Sequence, residues 1–182
     1  MITQLVATPP TEQTPPAGPY QYITGHPRQY QFDTAKGWFT CADRPACSLL
    51  TIQPIAWRLY TDQGQSRPSQ NWAELFFIDY TNSVSVIRFH SYSLDNLHRM
   101  LERLWYDDLT LADAQITIQS KWYDAYPNPA THVATFDFIL ADPQGTKELQ
   151  HYAQSQRIYC AGTVSGTAVV RTQSNYNQSV HP

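Results

Sequence analysis

Hydrophobic and polar residues alternate with a period of two along most of this chain, and the period changes in one segment. The alternation predicts strands at 72–80 and 84–90, and the polar run Thr81-Asn82-Ser83 between them predicts a hairpin connection. Across residues 94–106 the apolar positions recur at spacings of three and four, which predicts an amphipathic helix. The apolar stripe of this helix comprises Leu94, Leu97, Leu101, Leu104 and Trp105. We therefore expect a mainly β protein with one long helix between strands.

Further strands and a shorter helix are predicted on both sides of this segment. Strands are expected at 20–32, 49–60, 116–122, 132–140, 158–164 and 168–172, and a second helix at 146–155. Pro54 lacks the N–H group that a central strand needs, so it predicts an edge or a bulge in the second of these strands. Ser93 is expected to cap the long helix, with Asp95 in its first turn.

Side chains in the strand after Pro54 divide between two faces. Trp57 shares the expected inward face with Ile55 and Leu59, whereas Arg58 and Tyr60 are expected to face outward. An outward arginine beside a tyrosine is suited to contact a ligand from solvent, because a guanidinium can pair with phosphate or stack on a base.

The strand after the long helix ends in the aromatic and basic run Lys121-Trp122-Tyr123, and Tyr126 follows in the next loop. Lys121 and Tyr123 are expected to face outward. Strict alternation places Trp122 beside Ile118 in the core, whereas an exposed Trp122 would offer a flat ring for stacking. The sequence pattern leaves both positions open for Trp122.

Length and low-complexity segments define the domain organisation. The chain has 182 residues, which favours a single domain. Residues 1–19 are rich in proline and predict a flexible leader, and residues 173–182 are polar and aperiodic and predict a disordered tail. The folded domain is therefore expected to span residues 20–172.

Charge and thiol content limit the classes of partner and compartment. A net charge of −3 argues against coating duplex DNA by electrostatics alone, although a local basic groove remains compatible with it. Charged residues are only 15% of the chain while aromatic residues are 13%, so contacts are expected through stacking and hydrogen bonds. The sequence contains neither a secretory signal pattern nor a long apolar run, and its three cysteines form no metal-type pair. We expect a cytoplasmic protein with reduced thiols and no membrane contact.

Catalytic and metal-binding motifs do not appear in the sequence. The histidines lack the spacing of a metalloprotease helix, and the glycines form no phosphate-binding loop. Pairing Cys160 with a distant histidine is a generic combination that carries no specific signal. We therefore expect no enzyme activity, no cofactor and no metal. The histidines are His26, His90, His98, His132, His151 and His181.

The strand–helix–strand order of residues 72–140 resembles that of bacterial single-stranded DNA-binding proteins. VIRFHSYSLDNLHRML (86–101) resembles their passage from strand to helix, and ITIQSKWYD (116–124) with VATFDFIL (133–140) resembles their last two strands. The resemblance implies an OB-like small barrel with one helix between strands, plus extra strands and a short helix on the C-terminal side. It also implies that Trp122 is the aromatic on which a base stacks.

We therefore predict non-catalytic binding of single-stranded nucleic acid, with DNA favoured over RNA, through aromatic stacking and phosphate contacts. The alternative is a protein–protein interaction or assembly module, whose aromatic, charge-poor surface packs against a partner protein or a second copy of the chain. The candidate nucleic-acid-binding residues are Arg58, Tyr60, Tyr80, Arg88, Lys121, Trp122, Tyr123 and Tyr126.

Overall fold

The computed structural model of the chain describes residues 19–41, 44–62, 69–124, 129–163 and 170–172. The predicted leader up to residue 18, the predicted tail and Tyr126 lie outside these ranges. The strands within them are β1 (Arg28–Asp33), β2 (Trp38–Cys41), β3 (Arg44–Cys47), β4 (Leu49–Ile52), β5 (Pro54–Asp62), β6 (Gln70–Ile78), β7 (Val84–His90), β8 (Ala114–Tyr123), β9 (Thr131–Leu140) and β10 (Val170–Thr172). The helices are α1 (Ser91–Tyr106) and α2 (Pro143–Ser155), with 3₁₀ turns at Leu111–Asp113 and Ala161–Thr163. No helix of this described part is long and apolar enough to cross a membrane.

The strands form two sheets. The larger sheet has seven strands in the order β10-β5-β6-β7-β1-β2-β3, and the smaller has three in the order β4-β8-β9. The pairs are antiparallel except β1 with β7, which is parallel. The mainly β class is confirmed, but the expected closed barrel is wrong. The alternation of side chains identifies strands without saying which strands pair, and here β8 pairs with β4 and β9 in a separate sheet.

Two local predictions from turn and proline chemistry are confirmed. β6 and β7 pair as a hairpin, with Ile78 opposite Val84 and the connection held by the carboxylate of Asp79. Asn82 in this connection has φ 57°, a left-handed conformation that asparagine tolerates well. At Pro54 the pairing of β5 with β6 shifts register, which is the predicted bulge.

The long helix α1 is confirmed, but its beginning and its stripe differ from the prediction. It begins at Ser91, with His90 in the N-cap position and no side-chain cap. Ser93 is therefore inside the helix, where its hydroxyl accepts the N–H of Ala134 at 2.9 Å, on the edge of β9 away from β8. Asn96 donates to the carbonyl of the same residue at 2.9 Å, so the helix covers an edge that would otherwise be unpaired.

The core lies on both faces of the large sheet. One cluster lies between the two sheets and α1, and it includes Trp57, Leu97 and Ile118. A second cluster lies on the other face and packs Phe76 and Val86 under Tyr152 of α2. Trp57 is in the core as predicted, whereas Trp105 at the end of α1 is exposed, contrary to the predicted stripe.

The second cluster also changes the expected faces of β5. The bulge at Pro54 breaks the alternation, so Ile55 and Ala56 both join the second cluster. Arg58 was expected to face solvent, but it is 1% exposed, and Leu59 was expected to be buried, but it is exposed. A period of two separates the faces of a strand without telling which of them is covered by other elements.

Two segments between residues 38 and 164 were assigned wrongly. Strands β2 and β3 form the end of the large sheet where none was predicted, because their sequence is broken by Pro45 and lacks clear alternation. The strand predicted at 158–164 is wrong within its described residues. There the backbone of Tyr159 bonds with the hydroxyl of Tyr22, and Ala161 N–H donates to the carbonyl of Gly25.

Candidate functional site

A cavity of about 140 Å³ lies where the parallel strands β1 and β7 end. Their pairing runs only to Tyr30 opposite Ile87, and beyond it β1 turns into β2 while β7 leads directly into α1. The beginning of β9 closes the third side, because the N–H of His132 donates to the carbonyl of Thr34 at 2.9 Å. The lining residues are Phe32, Thr34, Arg88, Phe89, His90, Ser91, Tyr92, Ser93, Thr131, His132 and Val133.

The first turn of α1 forms one wall of this cavity. A helix begins with backbone N–H groups that have no partner inside the helix, and no side chain caps them here. Ser91, the first residue of the helix, has φ 53° and so brings the chain sharply from β7 into the helix. No acidic residue lies in the first turn, so the positive end of the helix dipole is not offset locally.

His90 is held in one orientation beside the cavity. Its ring lies 4.3 Å from that of Trp72, and its Nδ1 is 2.6 Å from the side-chain amide nitrogen of Gln70. Because that amide nitrogen is a donor, Nδ1 accepts and Nε2 carries the proton of the neutral ring. Burial lowers the pKa of His90 below its ordinary value, which keeps the imidazole neutral at pH 7.

Two pairs of aromatic rings lie where β8 ends and β9 begins, on opposite faces of the ribbon because Trp122 and Tyr123 are successive strand residues. Trp122 lies edge-on to His132 with 4.9 Å between ring centroids, and Tyr123 lies 4.8 Å from Tyr92. His132 and Tyr92 both line the cavity, while Trp122 is 58% and Tyr123 40% exposed. We call these four residues the aromatic rim. The rim offers exposed rings that packing contacts have already positioned.

A buried charge cluster lies behind Arg88. The carboxylate of Glu74, which is 0% exposed, accepts from Arg88 Nε at 2.9 Å and lies 3.6 Å from Arg58 Nη1. Arg88 Nη2 also donates to the Cys160 sulfur at 3.1 Å, and Arg58 Nη1 donates to Thr163 Oγ1 at 3.0 Å. Two guanidinium groups thus share one carboxylate, so the contacts among described residues leave one positive charge in excess. Within the same residues, Arg58 Nε and Nη2 have no hydrogen-bond partner despite their burial.

The electrostatics of Arg88 follow from these contacts. Burial alone would lower the pKa of its guanidinium, but the hydrogen bond and the charge of Glu74 outweigh that effect and raise it above its ordinary value. Arg88 is therefore held as a cation by Glu74 and Cys160, on the face of the large sheet that carries the second cluster.

The structure brings together half of the predicted site residues. Arg88 lines the cavity, Trp122 and Tyr123 belong to the rim, and exposed Lys121 precedes them on β8. The sequence left open whether the Trp122 side chain is buried in the core or exposed, and in the structure it is exposed.

The remaining predicted residues lie elsewhere. The prediction that Arg58 binds nucleic acid is wrong, because its guanidinium is buried against Glu74 and cannot reach a ligand from solvent. Tyr60 lies under that guanidinium, with its ring centroid 4.4 Å from the Arg58 Cζ atom. Tyr80 is exposed on the β6–β7 connection and contributes to neither the cavity nor the rim, and Tyr126 is outside the described residues.

Sequence reasoning missed the residues that complete the site, namely Thr34, His90, Tyr92, Thr131 and His132. The sequence did not indicate that these residues lie together, because they come from three segments that are far apart in the chain. The run His90-Ser91-Tyr92, at the change from strand to helix period, was the one clue to a polar pocket at that junction.

Two arrangements of polar side chains near the cavity bear on its chemistry. His132 Nδ1 is 3.0 Å from Ser120 Oγ. Among the described residues, no carboxylate pairs with this imidazole as the acidic residue of a Ser-His-Asp triad does. Within the same described ranges, no group of three His, Cys, Asp or Glu side chains is placed to hold a metal ion.

Comparison with known proteins adds no family to this description. No family model, no curated protein and no solved structure matches the chain.

Proposed function

We propose that this protein binds single-stranded nucleic acid without catalysing a reaction, at a surface made of the aromatic rim, Lys121 and the mouth of the cavity. Bases would stack on the exposed rings, and the backbone would pass the positive end of α1. The proposal includes single-stranded DNA as the favoured ligand over RNA, which follows from the resemblance of residues 72–140. It requires no cofactor or metal and places the protein in the cytoplasm.

The observation that carries this proposal is the exposure of Trp122. A tryptophan on the face of β8 that holds Ile116 and Ile118 would ordinarily be buried, yet it is 58% exposed where the strand extends past the core. Packing against His132 restricts its ring, so less side-chain entropy is lost when a base stacks on it. Stacking of one base on such a ring contributes about 1–3 kcal/mol.

Charge supports a single strand rather than a duplex. The net charge of −3 offers little general attraction to a phosphate surface. A protein of this kind binds by stacking, and stacking requires bases that are not already paired. Exposed Lys121 precedes Trp122 and Tyr123 on β8 and adds one local positive charge beside the rim.

Fluorescence anisotropy of a labelled oligo-dT, a matched single-stranded RNA and a duplex tests the proposal. We expect a Kd in the micromolar range or below for the DNA strand, weaker binding to RNA and the weakest to the duplex. Affinity should fall only modestly between about 50 and 200 mM salt, because few phosphate contacts are made. Absence of binding to either single strand at low salt would overturn the proposal.

A second candidate function, assembly through a protein interface, is favoured by one apolar patch. Trp105 and Tyr106 at the end of α1 are exposed, as are Ile139 and Leu140 at the end of β9. The two ends are neighbours, because the Arg103 guanidinium lies 5.1 Å from the Phe138 ring. A molar mass near twice 20.8 kDa in light scattering, reverting to the monomer in Ile139→Asp, would support this function. A monomer at all concentrations would exclude self-assembly.

A further inference from the structure

The ribbon formed by β8 and β9 has one closed edge and one open edge near its exposed end. On the β9 side, the N–H of His132 donates to the carbonyl of Thr34 at 2.9 Å, and α1 covers the edge beyond it. On the β8 side, pairing with β4 ends at Gln119, opposite Leu49. Of the two described edges of the ribbon, the β8 edge is therefore the one that a ligand can cross.

The β8 edge carries a backbone donor without a partner. The N–H of Ser120 points out from this edge and donates to the carbonyl of Ser48 at 3.2 Å. Outward N–H groups recur at every second residue of a strand, so the N–H of Trp122 points out from the same edge. No described residue accepts a hydrogen bond from it. Trp122 therefore presents both an exposed ring and a free backbone donor to solvent.

Lys121 adds a cation beside this donor. Its side chain is exposed, and within the described contacts no carboxylate pairs with it. Backbone N–H groups and lysine ammonium groups are both common ligands of nucleic-acid phosphates. The exposed carboxylate of Asp124 lies two residues beyond Trp122 and partly offsets this attraction. The edge is therefore suited to a single phosphate rather than to a long series of them.

The two exposed rings of the ribbon are too far apart for neighbouring bases. Trp122 and Tyr123 project from opposite faces and are 58% and 40% exposed. A sheet with its side chains is about 10 Å thick, the spacing at which sheets stack. Successive nucleotides of a stacked strand are about 3.4 Å apart, so about three steps separate a base on one ring from a base on the other.

We propose that a single strand wraps the end of this ribbon across the β8 edge, with one base on Trp122, a second on Tyr123, and a phosphate between them at the Trp122 N–H and Lys121. This inference rests on the proposed single-strand binding. It defines the ligand as a continuous unpaired segment of about four nucleotides, because a dinucleotide reaches one face at a time. A duplex cannot follow so tight a path, because its persistence length is about 150 base pairs.

The first test uses the wild-type chain and needs no substitution. Unlabelled oligo-dT strands of two, three, four, six and eight nucleotides compete with a labelled eight-nucleotide strand for the full chain, and fluorescence anisotropy follows the displacement. We expect the affinity to rise at least about fivefold between two and four nucleotides, because a second base then stacks. Beyond four nucleotides, the affinity should rise only in proportion to the number of four-nucleotide positions on the strand.

Two variants test the two faces of the ribbon separately. Trp122→Ala and Tyr123→Ala should each weaken binding of the eight-nucleotide strand at least about fivefold, the loss of one stacked base. The two-nucleotide strand occupies one ring, so at most one of the variants should weaken its binding more than about twofold. Tyr106→Ala removes a tyrosine that is 78% exposed at the end of α1, and this matched control should bind both strands as wild type does.

A third variant tests the phosphate at the edge. The slope of log Kd against log salt concentration should fall by about 0.7 in Lys121→Gln, the effect of one phosphate contact on a single strand. Lys147→Gln, a matched change of an exposed lysine on α2, should keep the wild-type slope.

The same titrations contain the results that would overturn the inference. A loss of eight-nucleotide binding in only one of the two ring variants would show that the strand stays on one face, and it would leave single-strand binding intact. Equal affinities of the two- and four-nucleotide strands would exclude a second stacked base. A salt slope unchanged by Lys121→Gln would overturn the path over the β8 edge. Failure of every strand to bind would overturn both the inference and the proposed function.

Discussion

The buried carboxylate of Glu74 allows a sharp prediction about the cluster behind the cavity. Glu74→Gln keeps the shape of the side chain but removes the charge shared by Arg58 and Arg88. Arg58 is 1% exposed and Glu74 is its described ionic partner, so its charge would become uncompensated in the core. The side chain of Arg88 is 32% exposed and can be partly rehydrated. Breaking a buried pair costs about 3–5 kcal/mol, and the exposure of Arg88 places this variant at the lower end, about 3 kcal/mol.

Urea unfolding at pH 7, followed by far-UV circular dichroism, measures this loss. The free energy of unfolding of Glu74→Gln is compared with that of wild type and of Glu102→Gln, a matched change on the exposed face of α1. The control should differ from wild type by less than about 0.5 kcal/mol, as surface substitutions usually do. A loss below about 1 kcal/mol in Glu74→Gln, with an unchanged urea m-value, would refute the idea that this carboxylate neutralises a buried cation.

Two further predictions concern the turns that frame the fold. Burial would raise the pKa of Asp79, but hydrogen bonds from Thr81, Ser83 and Ser85 outweigh burial and lower that pKa. The ionised carboxylate therefore contributes its full stabilisation above the ordinary pKa, and this stabilisation is lost as the pH falls through the pKa of the folded state. Asp79→Asn should therefore destabilise the protein at pH 7 in thermal melts and differ less from wild type near pH 3; a pH-independent difference would contradict this account. Gly37→Ala should lower the free energy of unfolding by at least about 1–2 kcal/mol, because Gly37 has φ 71° and an added Cβ would collide with the His132 ring. An unchanged midpoint in urea unfolding would contradict that contact.

Local chemistry in the sequence predicted individual elements well. The hairpin at 81–83 and the bulge at Pro54 follow from turn propensity and from a missing N–H group, both properties of a few neighbouring residues. The long helix followed from an apolar spacing that no strand can accommodate. These features need no knowledge of distant contacts, and the structure contains each of them.

Long-range pairing explains what the sequence did not predict. The closed barrel was wrong because β8 pairs with β4, a partner about 65 positions earlier that no local pattern identifies. Arg58 was misplaced because α2 and the segment around Cys160 cover the second face of the sheet. The cavity was missed for the same reason, since β1, β7 and β9 supply its walls. Trp122, in contrast, could be named from sequence because it lies within one aromatic and basic run.

The central claim, that bases stack on the rim, is tested most directly by comparing two tryptophans. Trp122 and Trp105 are almost equally exposed, at 58% and 56%, but only Trp122 belongs to the rim. The measurement is the Kd for oligo-dT of Trp122→Ala and of Trp105→Ala, each checked for folding by circular dichroism. Loss of one stacked base, about 1–3 kcal/mol, predicts a roughly 5- to 150-fold weaker Kd for Trp122→Ala and a wild-type Kd for Trp105→Ala. Equal affinities for the two variants, or a larger loss in Trp105→Ala, would contradict the proposed surface.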